Sequence, residues 1–178
     1  KWQSNNSWQA DLTKVENSKK SAQGEQILLQ GKVQEVNCRP IAGAKVQLWQ
    51  ANSQGRYHHS RDAGNKNPID SGFKGWAEVM TNKNGEYSFK TIIPGTYEAS
   101  PGWTRPAHLH FKVIKPGFEP LVTQMYFSGR AHQASDHILQ GVPKKDRSKL
   151  IIKFNFNEKT KISSGQFNMN LRNANSYI

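Results

Sequence analysis

From residue 26 to residue 171 the chain is cut by turn residues into short segments rich in β-branched and aromatic residues, and helical patterning is scarce. Alternation at period two suits a half-buried strand, and short strands at turn-bounded intervals point to a sandwich or barrel. The expected strands run over 27–36, 44–50, 76–81, 86–91, 107–114, 121–127, 150–157 and 165–171. Asn82-Lys83-Asn84-Gly85 reads as a hairpin turn, because Asn-Gly supplies the positive φ angles that tight hairpins need. Pro94-Gly95 turns the chain again, and one short helix is expected over 131–139. The fold class is therefore all-β: a two-sheet β-sandwich of about eight or nine strands, with long functional loops and little helix. Residues 1–24 are polar, carry Trp2 and Trp8, and read as an N-terminal arm that packs back onto a domain spanning 25–178.

Composition removes several alternatives. A chain of 178 residues can bury a core without metal or disulfide support, and a single Cys excludes an internal disulfide. Eighteen aromatic residues, Trp 5, Tyr 5 and Phe 8, are too many for a disordered tail. No apolar run approaches the roughly 18 residues of a membrane span. The net charge of +12 attracts anions, yet no nucleic-acid motif accompanies it, so a solvated basic surface is the reading and nucleic acid is not an expected partner. The chain starts at Lys1, which leans towards a processed, extracytoplasmic protein, with a cytoplasmic one as the alternative.

The chemistry concentrates in Arg105-Pro106-Ala107-His108-Leu109-His110-Phe111. Side chains on a strand alternate, so His108 and His110 face one way while Leu109 and Phe111 enter the core. Two imidazoles on one face of a strand are placed to share a metal. Several further ligands are on offer. Glu98 or Glu119 would make a two-His, one-carboxylate site, and His132 or His137 a three-His site. Tyr57, in the long loop 52–75, or Tyr97, after Pro94-Gly95, would offer a hard anionic oxygen. Spacing alone does not choose among these. Cys38 reads as a buried strand end, Trp49 as a core residue, and His58 and His59 as polar surface.

Five stretches of the chain, in order, resemble the intradiol ring-cleavage dioxygenases, the group that includes protocatechuate 3,4-dioxygenase and catechol 1,2-dioxygenase. They are Gly31-Lys32-Val33 with 38–44; Val46-Gln47-Leu48-Trp49-Gln50-Ala51-Asn52; Gly55-Arg56-Tyr57-His58-His59 with Asp62; 85–92 with Pro94-Gly95-Thr96-Tyr97; and 105–111 followed by Thr123-Gln124-Met125-Tyr126-Phe127. The tyrosine loop and the Arg-Pro-x-His-x-His strand are the specific parts. The resemblance implies a non-haem Fe(III) held by Tyr57, Tyr97, His108 and His110. It implies that Tyr97 leaves the metal as a catechol binds, and that Arg105 stabilises negative charge on the substrate. Gln124 and Tyr126 would hold the pocket and ligands in place. The implied reaction opens a catechol ring with both atoms of O2 to a cis,cis-muconate. A homo-oligomer is compatible with this reading. The alternative is a non-catalytic sandwich of the transthyretin or carboxypeptidase-regulatory kind. Glu98 and Ala99 follow Tyr97 where relatives often carry an aromatic; Glu98, if it faced the site, would disfavour a carboxylated substrate.

Overall fold

The computed structural model describes residues 8–174. Among them are thirteen strands: β1 (Ala10–Asp11), β2 (Gln26–Glu35), β3 (Lys45–Trp49), β4 (Trp76–Met80), β5 (Glu86–Ile92), β6 (Tyr97–Ser100), β7 (Trp103–Arg105), β8 (His108–Ile114), β9 (Leu121–Phe127), β10 (Ile151–Ile152), β11 (Asn155–Asn157), β12 (Ile162–Gln166) and β13 (Met169–Leu171). Two short helices, α1 (His137–Gly141) and α2 (Lys144–Leu150), follow β9.

The mostly-β expectation holds, but eight or nine strands in two sheets become thirteen strands in three. Three causes are visible. The stretch 150–157 divides into the end of α2, β10 and β11, with Phe154 turned onto Phe127 at a ring separation of 5.1 Å. The stretch 165–171 divides at Phe167, which enters the core and gives its carbonyl to the Tyr87 hydroxyl at 2.5 Å. The strands β1, β6 and β7 have two to four residues, too few to show a period. The helix expected over 131–139 begins later, where the Asp136 side chain accepts a hydrogen bond from the Ile138 amide and caps α1. Cys38, expected to be buried, is exposed in a turn with φ of 69°.

Two larger sheets share one core. The first runs β1-β5-β2-β12-β11, with β13 also paired to β2. The second runs β10-β9-β8-β3-β4, so β8 lies in its middle. Ile27, Leu29 and Phe89 from the first meet Val46, Leu48, Leu109 and Phe111 from the second in a single buried cluster. Each such side chain contributes about 1.5–3 kcal/mol on burial. Gly31 is required here: a Cβ would lie 1.8 Å from the Phe167 carbonyl oxygen.

The arm is partly structural. β1 adds to the edge of β5 in parallel register, while the Gln9 side-chain amide donates to the Met80 carbonyl on β4 at 2.9 Å. Leu12 is fully buried between the sheets. Lys90 of β5 places its ammonium 4.7 Å from the Trp8 ring; Trp2 lies outside the described residues.

Candidate metal centre

β8 pairs with β3 on one side and β9 on the other, so its orientation is fixed by ladders at both flanks. Leu109 and Phe111 are fully buried, as the alternation requires, and His108 and His110 project from the opposite face. Cross-strand register sets Gln124, His110 and Trp49 in one row, with His108 beside Tyr126 in the next. The site therefore sits on the sheet face that points away from the shared core.

Tyr57 arrives from a loop held by its own side chains. Asn52 accepts hydrogen bonds from the Gln54 and Arg56 amides at 2.9 and 3.0 Å. Asp62 accepts from the Tyr57 amide at 2.7 Å and pairs with Arg56 at 3.8 Å. Gly55 has φ of 77°, and a Cβ there would lie 2.3 Å from the Thr96 carbonyl oxygen. Gly95 presses equally close to Ser53 and Gly55, and its amide donates to the Asn52 carbonyl at 2.9 Å. The loop bearing Tyr57 and the turn bearing Tyr97 are thus packed backbone to backbone. The two phenol rings meet edge to face with centroids 5.6 Å apart.

Three donor atoms converge. The Tyr57 hydroxyl lies 3.1 Å from His110 Nε2 and 3.4 Å from His108 Nε2, and the two Nε2 atoms are 3.1 Å apart. Ligands about 2.1 Å from a shared ion, at angles of about 90–110°, stand roughly 3.0–3.4 Å apart, so this triangle fits a metal ion. His108 Nδ1 lies 2.6 Å from the Pro106 carbonyl, the partner that makes Nδ1 the protonated nitrogen and leaves the Nε2 lone pair free. Burial pushes the His108 pKa down to about 4, assisted by the nearby Arg105 charge. Burial, then His108 and Arg105, pushes His110 down to about 3. Both rings are neutral at neutral pH, the form that binds metal. Burial drives the Tyr57 phenol well above its ordinary value, with Tyr97 adding to the effect. A phenolate at Tyr57 therefore needs a cation beside it, and a trivalent ion suits that need. Tyr97 completes the ring cluster, with its centroid 5.9 Å from that of His108.

The carboxylate and three-histidine alternatives are not assembled. Among the described residues no group of three or more His, Cys, Asp or Glu forms a metal cluster. His137 is instead stacked on Trp103 with centroids 4.7 Å apart. Glu98 is exposed and accepts a hydrogen bond from the Gly102 amide at 3.1 Å, so it is engaged in the β6–β7 turn.

Arg105 is 4% exposed beside this cluster. Its Nη2 donates to Gln124 Oε1 at 2.6 Å and reaches the Tyr126 hydroxyl at 3.5 Å. Tyr126 also donates to Gln124 at 3.0 Å, and burial pushes its phenol up to about 12. The sequence reading missed the strongest partner: fully buried Asp136, 3.3 Å from Arg105 Nε. Its signal was available, since an Asp directly before a helical segment is a capping residue. Trp49, expected in the core, instead stacks on His110 with centroids 5.1 Å apart and planes 6° from parallel. A cleft of about 360 Å3 lined by Trp49, Tyr57, Arg61, Tyr97 and His110 opens beside this triangle of donor atoms.

Residues 1–173 match a family model described as "Dioxygenase". The chain is 40% identical over 147 residues to the protocatechuate 3,4-dioxygenase beta chain of Burkholderia cepacia, covering 81% of this chain and 62% of that one. It is 30% identical over 126 residues to the catechol 1,2-dioxygenase of Acinetobacter baylyi, covering 64% and 39%. The chain thus spans less than two thirds of the length of these curated relatives. Among solved structures, catechol 1,2-dioxygenase from Pseudomonas arvilla C-1 superposes with a TM-score of 0.71 at 26% identity, covering 97% of this chain and 60% of that one. The dioxygenase domain of a dioxygenase carbohydrate-binding fusion from Streptomyces sp. SirexAA-E superposes with a TM-score of 0.66 at 26% identity, covering 93% and 90%.

Proposed function

The chain belongs to the intradiol dioxygenase family, and from that premise we propose that it cleaves the ring of a catechol between its two hydroxyl-bearing carbons, using O2, to a cis,cis-muconate. The observation that carries this is the convergence of the Tyr57 hydroxyl with the two imidazole nitrogens at 3.1–3.4 Å. A ligand-binding or regulatory sandwich has no use for that triangle.

Tyr57, Tyr97, His108 and His110 would hold a non-haem Fe(III), which, when bound, would accept both catecholate oxygens and draw electron density from the ring so that O2 can react. The protein does the rest. The Pro106 carbonyl locks the His108 tautomer, and Trp49 fixes the plane of His110. Tyr97, on a short hairpin rather than a central strand, would as its phenolate take a catechol proton at Oη as substrate enters. Arg105 supplies a fixed cation for the charge that develops on the substrate, a role worth about 10²–10³ in kcat for a preorganised donor. Gln124, Tyr126 and Asp136 keep that guanidinium in place. We read the two larger sheets as layers of a β-sandwich whose outer face carries the site.

The test is a visible spectrum of iron-loaded protein before and after anaerobic catechol, followed by O2. A tyrosinate-to-iron band that shifts with catechol, and muconate absorbance after O2, is the expected result. A colourless, metal-free protein after iron supplementation would overturn the reading.

A further inference from the structure

Trp49 and Tyr57 are walls of two clefts at once. Beyond the cleft over the ligands, a second space of about 430 Å3 continues past Trp49 across Trp76 to Lys74. Clefts of roughly 300–1,000 Å3 suit drug-sized ligands, so one catechol ring leaves most of this space unfilled. Strand register gives the reach. His110, Trp49 and Trp76 are successive partners on β8, β3 and β4. Neighbouring strands lie about 4.8 Å apart, so Trp76 stands about 10 Å from His110 along that row. That is the place of a second ring attached to the first.

The chemistry of the second space is specific. Trp76 is 50% exposed, leaving indole surface on the cleft wall. Trp49 gives one face to His110. Lys74 is exposed at the far end. Of the carboxylates near Lys74, Glu78 lies 3.3 Å from Lys45 and Asp11 lies 3.8 Å from Lys90, while Glu16 lines the adjoining cleft that Lys74 also borders. An aromatic floor ending in an ammonium suits a planar group that ends in an anion.

We propose that this second space is a substrate subsite, and that the substrate is a catechol bearing a planar anionic arm, an aryl carboxylate whose ring lies on Trp76 and whose carboxylate meets Lys74. The catechol half of this assignment rests on the ring-cleavage reading; the arm half does not. Two measurements separate them. Calorimetry with biphenyl-4-carboxylate, which has no catechol hydroxyls, is run on purified protein with and without iron(III). Wild-type protein should bind it, Trp76→Ala should bind at least tenfold more weakly, and Lys74→Gln should lose affinity for the carboxylate but not for neutral 4-hydroxymethylbiphenyl. Turnover by iron-loaded enzyme should then favour 4-(4-carboxyphenyl)catechol over catechol at least tenfold in kcat/KM, and Trp76→Ala should erase that ratio. Arm binding that both substitutions weaken, without cleavage of any catechol, would support the subsite and defeat the ring-cleavage reading. Catechol cleavage without preference for the aryl carboxylate, or arm binding indifferent to both substitutions, would overturn the subsite.

Discussion

The two halves of the candidate metal centre are held by different physics. His108 and His110 ride on the central strand of a five-stranded sheet, with ladders on both flanks and Leu109 and Phe111 anchored in the core behind them. Tyr57 rides on irregular backbone, and Tyr97 opens the short two-stranded hairpin β6–β7 outside both larger sheets. Side-chain caps from Asn52 and Asp62, together with a contact between Gly55 and Thr96 too close for any Cβ, hold that backbone. The strand is cooperative with the whole fold, whereas the loop depends on a handful of local contacts. Evolution or an experimenter can therefore reshape the tyrosine side by single substitutions that leave the sheet intact.

Removing a ligand from either half should have the largest effect. Tyr57→Phe and His110→Ala are both expected to abolish colour and activity, read by visible absorbance of iron-loaded protein. Wild-type colour and iron content in either variant would remove that residue from the ligand set. Next comes Arg105→Ala, which should keep the iron while kcat falls about 10²–10³-fold. Full activity in that variant would remove its charge-stabilising role.

Gly55→Ala sharpens the contrast. It forces a side chain into a left-handed backbone against the Thr96 carbonyl, a strain of order 1–3 kcal/mol. Both tyrosines should shift, so the charge-transfer band should weaken, while amide exchange in β8 stays at its wild-type rate. If exchange in β8 rises with it, the loop and the strand form one cooperative unit. Asp62→Asn should act in the same direction and less strongly. It weakens the bond to the Tyr57 amide and the pair with Arg56, a loss of about 1–3 kcal/mol that a denaturant midpoint would register. Smallest is Lys112→Ala, two residues beyond His110 on the same outward face, which should change stability by no more than about 0.5 kcal/mol.

The same contrast explains what could be read from the residues. β8 was legible because alternation and Pro106 fix its register and both imidazoles with it. The loop was legible only through the resemblance of Gly55-Arg56-Tyr57-His58-His59, since no period exists in irregular backbone to place a phenol. Spacing left the third ligand open among Glu98, Glu119, His132, His137 and the tyrosines; in the fold His137 stacks on Trp103, Glu98 is engaged in its hairpin, and the Tyr57 hydroxyl meets the two imidazoles. Trp49 was misplaced because its outward position in β3 looks the same whether a ring meets solvent or an imidazole. Asp136 was overlooked because its importance comes from Arg105, a residue 31 positions away. The extra strands were hidden by Phe154 and Phe167, whose inward turns interrupt segments that look continuous as text.

The first strand, β1, has a consequence of another kind. It occupies the outer edge of β5 while Gln9 caps a carbonyl on β4, so one short segment closes the same side of both sheets. Unpaired strand edges are templates for other chains. Proteolytic removal of that segment would expose two adjacent edges and the cavity vacated by Leu12. The clipped protein should then be lost first by self-association, before the Tyr57–His108–His110 triangle comes apart. The segment that guards the sheets against self-association therefore lies at their side, and not on the face that carries His108 and His110.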